Sequence, residues 1–369
     1  MGYLSHEFVV LPALIVLIPP SIGLRGNIYA SLGSRLGTYL HTGRIEPKFE
    51  VNPIITENIH SSTFLLLVLS IFNGFVSAEI ASALGLHSFT FELVLDLILI
   101  SVLAAFLSAV FMVPTTLALA IGSYKWGWDP DNLTAPLITL MGDVITLPLI
   151  FASVDAVFAI DLPLKLTSVM MVVVATLILY RLSRGEVGWR IIRESAPILI
   201  TCALINFGAG TILGKEVEGL VTIAGILTII PAFLEDGGAM GGILASRFSS
   251  MLHLGLLEPK IFPEREVLRS FAVMHILGFV VFALVGIFGQ IVNYILSIPT
   301  IPTAYMIATT VMAGQLLTVL LNLMAYYFSI LSFMKGIDPD NIGIPLITSL
   351  MDVLGTGCLI LSLKLLKII

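Results

Sequence analysis

Ten apolar runs, at residues 5–24, 61–84, 89–122, 135–156, 165–181, 195–213, 218–234, 270–296, 303–333 and 343–363, leave this chain few ways to fold. A helix crosses the ~30 Å hydrocarbon core of a bilayer in about 20 residues. With 57% hydrophobic and 11% charged residues, the chain cannot cover a water-facing surface. The expected fold is an all-α integral membrane protein of about ten transmembrane helices, with the lipid bilayer as a partner and no nucleic acid. Two further stretches, 26–43 and 238–255, are rich in Gly, Ala and Ser and are expected to extend the preceding spans past a glycine break. Cys202 and Cys358 each sit in an apolar stretch, as small packing residues rather than as a disulfide or a thiolate metal site. The opening MGYLSHEF has no basic region of the kind that starts a cleavable signal.

The chain also repeats itself. ASLGSRLGTYLHTGRIEPK (30–48) aligns without a gap on GILASRFSSMLHLGLLEPK (242–260), an offset of 212, and DPDNLTAPLITLMGDV (129–144) aligns on DPDNIGIPLITSLMDV (338–353), an offset of 209. The expected organisation is a first repeat of four spans at 1–160, a linker helix and basic loop at 161–192, and a second repeat of five spans at 193–369. The first repeat lacks a counterpart to the helix at 193–214. Arg181, Arg184, Arg190 and Arg193 mark the clearest basic loop, and such loops stay on the cytoplasmic side. Counting spans outward from it puts both DPDN loops on that side of a multi-pass cell-membrane protein. The two repeats then share one orientation, the linker helix restores direction between them, and a pseudo-twofold axis runs along the membrane normal. Such a chain works as a monomer in the manner of a fused dimer, and a homodimer remains compatible with it.

Asp143 and Asp352 occupy equivalent places, about nine residues after the expected start of their helices and so near the bilayer middle. A carboxylate there costs on the order of 3 kcal/mol to insert and faces a cavity, a cation or a partner. Two carboxylates meeting on the pseudo-twofold axis repel unless a cation or a shared proton lies between them. A lone mid-helix Asp is as often structural as functional; retention in both copies favours the cation site. Pro136 and Pro345, seven residues before each Asp, remove a backbone donor and free carbonyl oxygens. Thr139 and Thr348, four residues before, add hydroxyl oxygens on the same helix face. An oxygen-only donor set with one or two carboxylates suits magnesium, which keeps several of its waters.

The remaining polar residues read more plainly. Asp129, Asp131, Asp338 and Asp340 of the DPDN motifs are expected to cap helices, with Asp129 and Asp338 also drawing cations to the pathway mouth. Arg35, Arg247, His41 and His253 read as interfacial anchors, with a ligand role for either histidine as the weaker alternative. Glu235 and Asp236 stand where the first repeat has Gly23 and Leu24, and Glu79 and Asp96 have no acidic counterparts in the second. These four are candidates for a coupling-ion or proton site unless they lie at a membrane surface.

GLRGNIYASLGSRL (23–36) and WDPDNLTAPLITLMGD (128–143) resemble two motifs of the MgtE magnesium transporters, a Gly-Gly-Asn stretch after the second helix and an Asp-Pro, Pro and Thr signature leading to an Asp in the fifth. The resemblance implies that Asp143 and Asp352 match the family's central magnesium-binding carboxylate. It also implies pathway-lining positions for Gly26, Asn27 and Gly238, although the second repeat has Ala239 where an Asn is expected. That site lies between two subunits in MgtE; here, as in the related two-repeat eukaryotic solute carriers, one chain would supply both halves. No counterpart of the family's N and CBS domains is seen, so its sensing gate does not carry over.

The expected function is transport of divalent cations, with Mg2+ as the carried ion, by a channel or by a Na+- or H+-coupled exchanger. An intramembrane aspartyl protease using the same Asp pair is a weaker alternative, because both Asp lie in copies of one motif. A carrier of organic solutes would need aromatic or cationic recognition groups that the repeated helices lack. No enzymatic activity is expected.

Overall fold

In lipid every backbone polar group must be satisfied within its own segment, and the described residues build helices joined by short turns. The computed structural model describes residues 11, 13–220 and 224–368. Ten long helices and one short one are present among them: α1 Leu14–His41, α2 Pro53–Ala83, α3 Phe91–Lys125, α4 Pro130–Phe158, α5 Leu162–Leu182, α6 Glu186–Leu220, α7 Ala224–Leu227, α8 Ile230–His253, α9 Arg265–Ile295, α10 Thr303–Met334 and α11 Pro339–Leu365. Eight of these are long and apolar enough to cross a membrane. The other two long helices, α1 and α8, carry the Gly- and Ser-rich repeat motif.

Two boundaries differ from expectation. The start of the predicted run 5–24 and residues 221–223 of the run 218–234 lie outside the described residues. Segments 26–43 and 238–255 do not follow a break. Helix α1 runs on through Gly26, even with Pro19 and Pro20 inside it, and α8 runs on through Gly238. Of the two expected uses of these glycines, a bend and close helix packing, the structure shows the close approach to a neighbouring helix. Helices α2, α4, α5, α6, α9 and α11 also begin earlier than their apolar runs, because polar first-turn residues belong to them. Asp129 caps α4 by accepting from the Asp131 amide at 3.0 Å, and Asp338 caps α11 by accepting from Asp340 at 3.1 Å.

The chain forms two compact units, Met1–Phe207 and Gly208–Ile369. Within the first, α1 packs on α2, α3 and α4, and α3 packs on α2 and α4; within the second, α8 packs on α9, α10 and α11, and α10 packs on α9 and α11. The internal duplication is therefore visible as one packing scheme used twice. Helices α2 and α9 have 31 residues each, whereas α3 has 35 and α10 has 32. The three-residue shortfall in α10 is where the offset of 212 becomes 209.

Helices in lipid gain little from hydrophobic burial against each other, so close backbone contact and polar bonds carry their association. A methyl group added at Gly33 of α1 would lie 3.0 Å from Thr134 Cβ of α4. In the second unit the equivalent pair is Ala245 and Gly343, and a methyl group added at Gly343 would lie 3.4 Å from Ala245 Cβ. The small residue has changed helices while the crossing has been kept. Arg35 is not an interfacial anchor: it is 2% exposed, and its guanidinium donates to Asn58 Oδ1 at 2.8 Å and to Ser62 Oγ at 2.9 Å on α2. Its counterpart Arg247 is exposed.

The linker helix α5 packs on α2 and α3 and is largely exposed along its length, with Lys165 as its one buried residue. The Lys165 ammonium lies 2.6 Å from Asp96 Oδ1 of α3. At the other end of α5, Tyr180 packs against Phe64 of α2 with ring centroids 5.7 Å apart. Glu57 of α2 then accepts from the Gly188 amide at 2.9 Å, fixing the start of α6.

Two stability measurements on purified protein follow from this packing. Gly33→Ala should lower stability by about 1–3 kcal/mol through overpacking, and the loss should shrink when Thr134→Gly is added; equal losses in both backgrounds would contradict the crossing. Lys165→Met should cost about 3–5 kcal/mol by stranding a buried carboxylate, and Lys165→Met with Asp96→Asn should melt higher than Lys165→Met alone.

Candidate ion site

Asp143 stands halfway along α4 and Asp352 halfway along α11, each half-buried. This is deeper into the helix than the expected nine residues, because the DPDN cap lengthens each helix at its start. Beside Asp143, α1 and α4 touch through glycine. A methyl group at Gly142 would lie 3.6 Å from the Gly26 amide nitrogen, and one at Gly26 would lie 3.3 Å from Thr139 Cγ2. Gly26, Thr139 and Gly142 thus meet at one crossing, with Asp143 and the buried Asn27 each next to it in sequence.

The second unit repeats the contact with a difference. A methyl group at Gly238 of α8 would lie 3.7 Å from Thr348 Cα of α11. The position before Asp352 is the fully buried Met351, where the first unit has Gly142. Helix-to-helix approach next to the Asp is therefore glycine-on-glycine in one unit and filled by a long side chain in the other. Thr139 donates its hydroxyl to Ala135 O at 2.8 Å, and Thr348 donates to Ile344 O at 3.0 Å. Their hydrogens are spent on backbone, which leaves oxygen lone pairs as the groups they can offer. Pro136 and Pro345 lie one turn earlier inside their helices, Pro345 buried and Pro136 half-buried.

The DPDN caps hold a feature that the sequence reading missed. His41, at the end of α1, places Nε2 3.2 Å from Asp129 Oδ1 and 3.7 Å from Asp131 Oδ2. The hydrogen bond to Asp129 raises the imidazole pKa, against the opposing effect of burial, and the Asp131 charge adds to the rise. In the second unit His253 Nε2 lies 4.0 Å from Asp338 Oδ1, and His253 Nδ1 is bonded to Ser249 O at 2.9 Å. The two histidines are thus partners of the caps rather than separate anchors at the interface. The joint retention of His and DPDN in both repeats was the available signal.

The four acidic coupling candidates separate. Asp96 is buried and neutralised by Lys165. Glu79 is exposed, one turn from the end of α2. Glu235 and Asp236 are half-buried near the start of α8.

Comparison with known proteins agrees with this division into two like bundles. A family model described as MgtE, divalent cation transporter, matches residues 18–153 and 230–362. Solute carrier family 41 member 3 of Rattus norvegicus is 27% identical over 94% of this chain and 78% of its own, and the same member from Mus musculus is 28% identical over 98% and 77%. Solute carrier family 41 member 2 of Homo sapiens is 26% identical over 96% of this chain and 64% of its own. No solved structure matches. Each family match covers one four-helix bundle with its glycine crossing and central Asp, and the two together cover most of the sequence: the chain belongs to the MgtE family of divalent cation transporters.

Proposed function

We propose that the chain carries Mg2+ along a path between its two repeats, with Asp143 and Asp352 together holding the partly hydrated ion. The observation that carries the reading is the duplicated Asp at the midpoint of equivalent helices, each beside the glycine crossing of its own unit. Carboxylate, hydroxyl and carbonyl oxygens suit a hard divalent ion that retains part of its water shell. Thr139, Thr348 and backbone carbonyls near Pro136 and Pro345 serve as outer oxygens, while Gly26, Asn27 and Gly238 line the crossing. The path takes one repeat from 1–160 and one from 193–369, so a single chain suffices. Among the acidic candidates Glu235 and Asp236 suit a coupling ion best, because Asp96 already has the Lys165 ammonium and Glu79 faces outward.

Both DPDN loops and the 181–193 basic loop face the cytoplasm in this reading. Asp129 and Asp338 there supply negative charge at the mouth.

Two experiments test the proposal. In liposomes with an entrapped magnesium indicator, Asp143→Asn combined with Asp352→Asn should reduce Mg2+ flux to that of protein-free vesicles; flux near wild type refutes the site. The same vesicles with and without a sodium gradient separate a channel from an exchanger. For sidedness, Cys202 and Cys358 are buried and give little labelling background. A Glu186→Cys variant in intact cells should react with an impermeant maleimide only after permeabilisation, and labelling of unbroken cells inverts the assignment.

A further inference from the structure

Arg25 lies within α1, one residue before the Gly26 crossing, and is 1% exposed. Its Nη1 donates to Ser21 O at 3.3 Å and its Nη2 to Ser101 O at 3.4 Å, both long contacts with neutral carbonyls. Its Nε, also buried, has no acceptor among the described residues. Arg35, three turns further on the same helix, shows what a satisfied buried guanidinium looks like, with side-chain oxygens at 2.8 and 2.9 Å.

The groups around Arg25 share its deficit. Ser21, Arg25 and Tyr29 recur every four residues and so lie along one face of α1. The hydroxyls of Ser21 and of Ser101, whose carbonyl Arg25 touches, are buried and without a hydrogen-bond partner among the described residues. Asn73 of α2 closes the same layer by donating to Pro20 O at 3.2 Å. No ion pair joins Arg25 to a carboxylate among the described residues; the buried pair in this unit is Lys165 with Asp96.

We infer that the first unit binds a small monovalent anion, chloride first, between the Arg25 guanidinium and the Ser21 and Ser101 hydroxyls. The groups left without a partner here are mostly donors: the Arg25 Nε–H and the hydroxyls of Ser21, Ser101 and Tyr29, which turn freely, with the Asn73 amide oxygen as the one acceptor among them. Water would satisfy those bonds but would leave the positive charge uncompensated in a low-dielectric interior, where an unpaired ion is most costly. A monovalent anion supplies both acceptor and counter-charge, and a divalent oxyanion would leave the site net negative. The site belongs to the first unit alone. The second has Gly237 at the place of Arg25 and Gly241 at that of Tyr29, and a methyl group at Gly237 would lie 2.7 Å from Leu317 Cδ2. The inference is independent of the cation path.

Purified full-length protein in sodium gluconate, exchanged into sodium chloride at constant ionic strength, tests it by thermal unfolding. Wild type should melt higher as chloride rises, with saturation, by a few degrees or about as much as one bound ligand confers. Arg25→Gln should show no such rise. Equal melting in the two salts, or an undiminished chloride response in Arg25→Gln, overturns the proposal. Should Arg25→Gln fail to fold, wild type in sodium bromide decides: an anomalous peak within about 4 Å of the guanidinium supports the site. Water alone there, or a carboxylate from residues 1–10 in its place, overturns it.

Discussion

Two helix backbones in lipid have little reason to stay together unless they can touch, and the contact of α1 with α4, repeated by α8 with α11, meets that condition with glycine. Gly26 and Gly33 on α1 face Thr139, Gly142 and Thr134 on α4. The central Asp adjoins this contact, so its position along the helix is fixed by a closely packed seam in each unit. A larger residue in the seam would move the carboxylate together with its helix. The histidine at the end of each glycine-rich helix lies against the cap of the partner helix, which holds the far end of the same seam.

Duplication kept the packing scheme and let its details diverge. Gly33 against Thr134 became Ala245 against Gly343, and Gly142 became Met351. Arg35 is buried against α2 while Arg247 is exposed. Each change is a local solution to one steric or polar demand. Together they make the two crossings equivalent in route and unequal in fine structure, as two copies within one chain permit and two identical chains do not.

The apolar runs made the helices legible, and the linker helix found at Leu162–Leu182 lies within three residues of its predicted limits of 165 and 181. Hydropathy alone placed the start of α4 too late, because Pro130, Asp131 and Asn132 belong to the helix but not to the apolar run. Gly26 and Gly238 suggested breaks, since a glycine that ends a helix and one that admits a neighbour look alike in one dimension. The duplicated Asp, Thr and Pro positions were legible because they recur at a fixed offset. Lys165 with Asp96, and Arg25 with the Ser21 and Ser101 carbonyls, were not. Each occurs once, and their partners lie 69 and as many as 76 residues away, a separation for which no local pattern exists.

The unequal lengths of α3 and α10 carry a consequence for the family's architecture. Three residues fall short of a full helical turn, so the segments before and after the deletion are out of phase by roughly 60° and displaced by about 4.5 Å relative to the other repeat. Yet both ends of these helices keep their contacts: Gly74 approaches Ile98 as Gly286 approaches Thr310, and His41 lies edge-on to Tyr124 as His253 does to Phe333. The change of phase is thus taken up in the middle of the helix, and the packing at its two ends is preserved in kind.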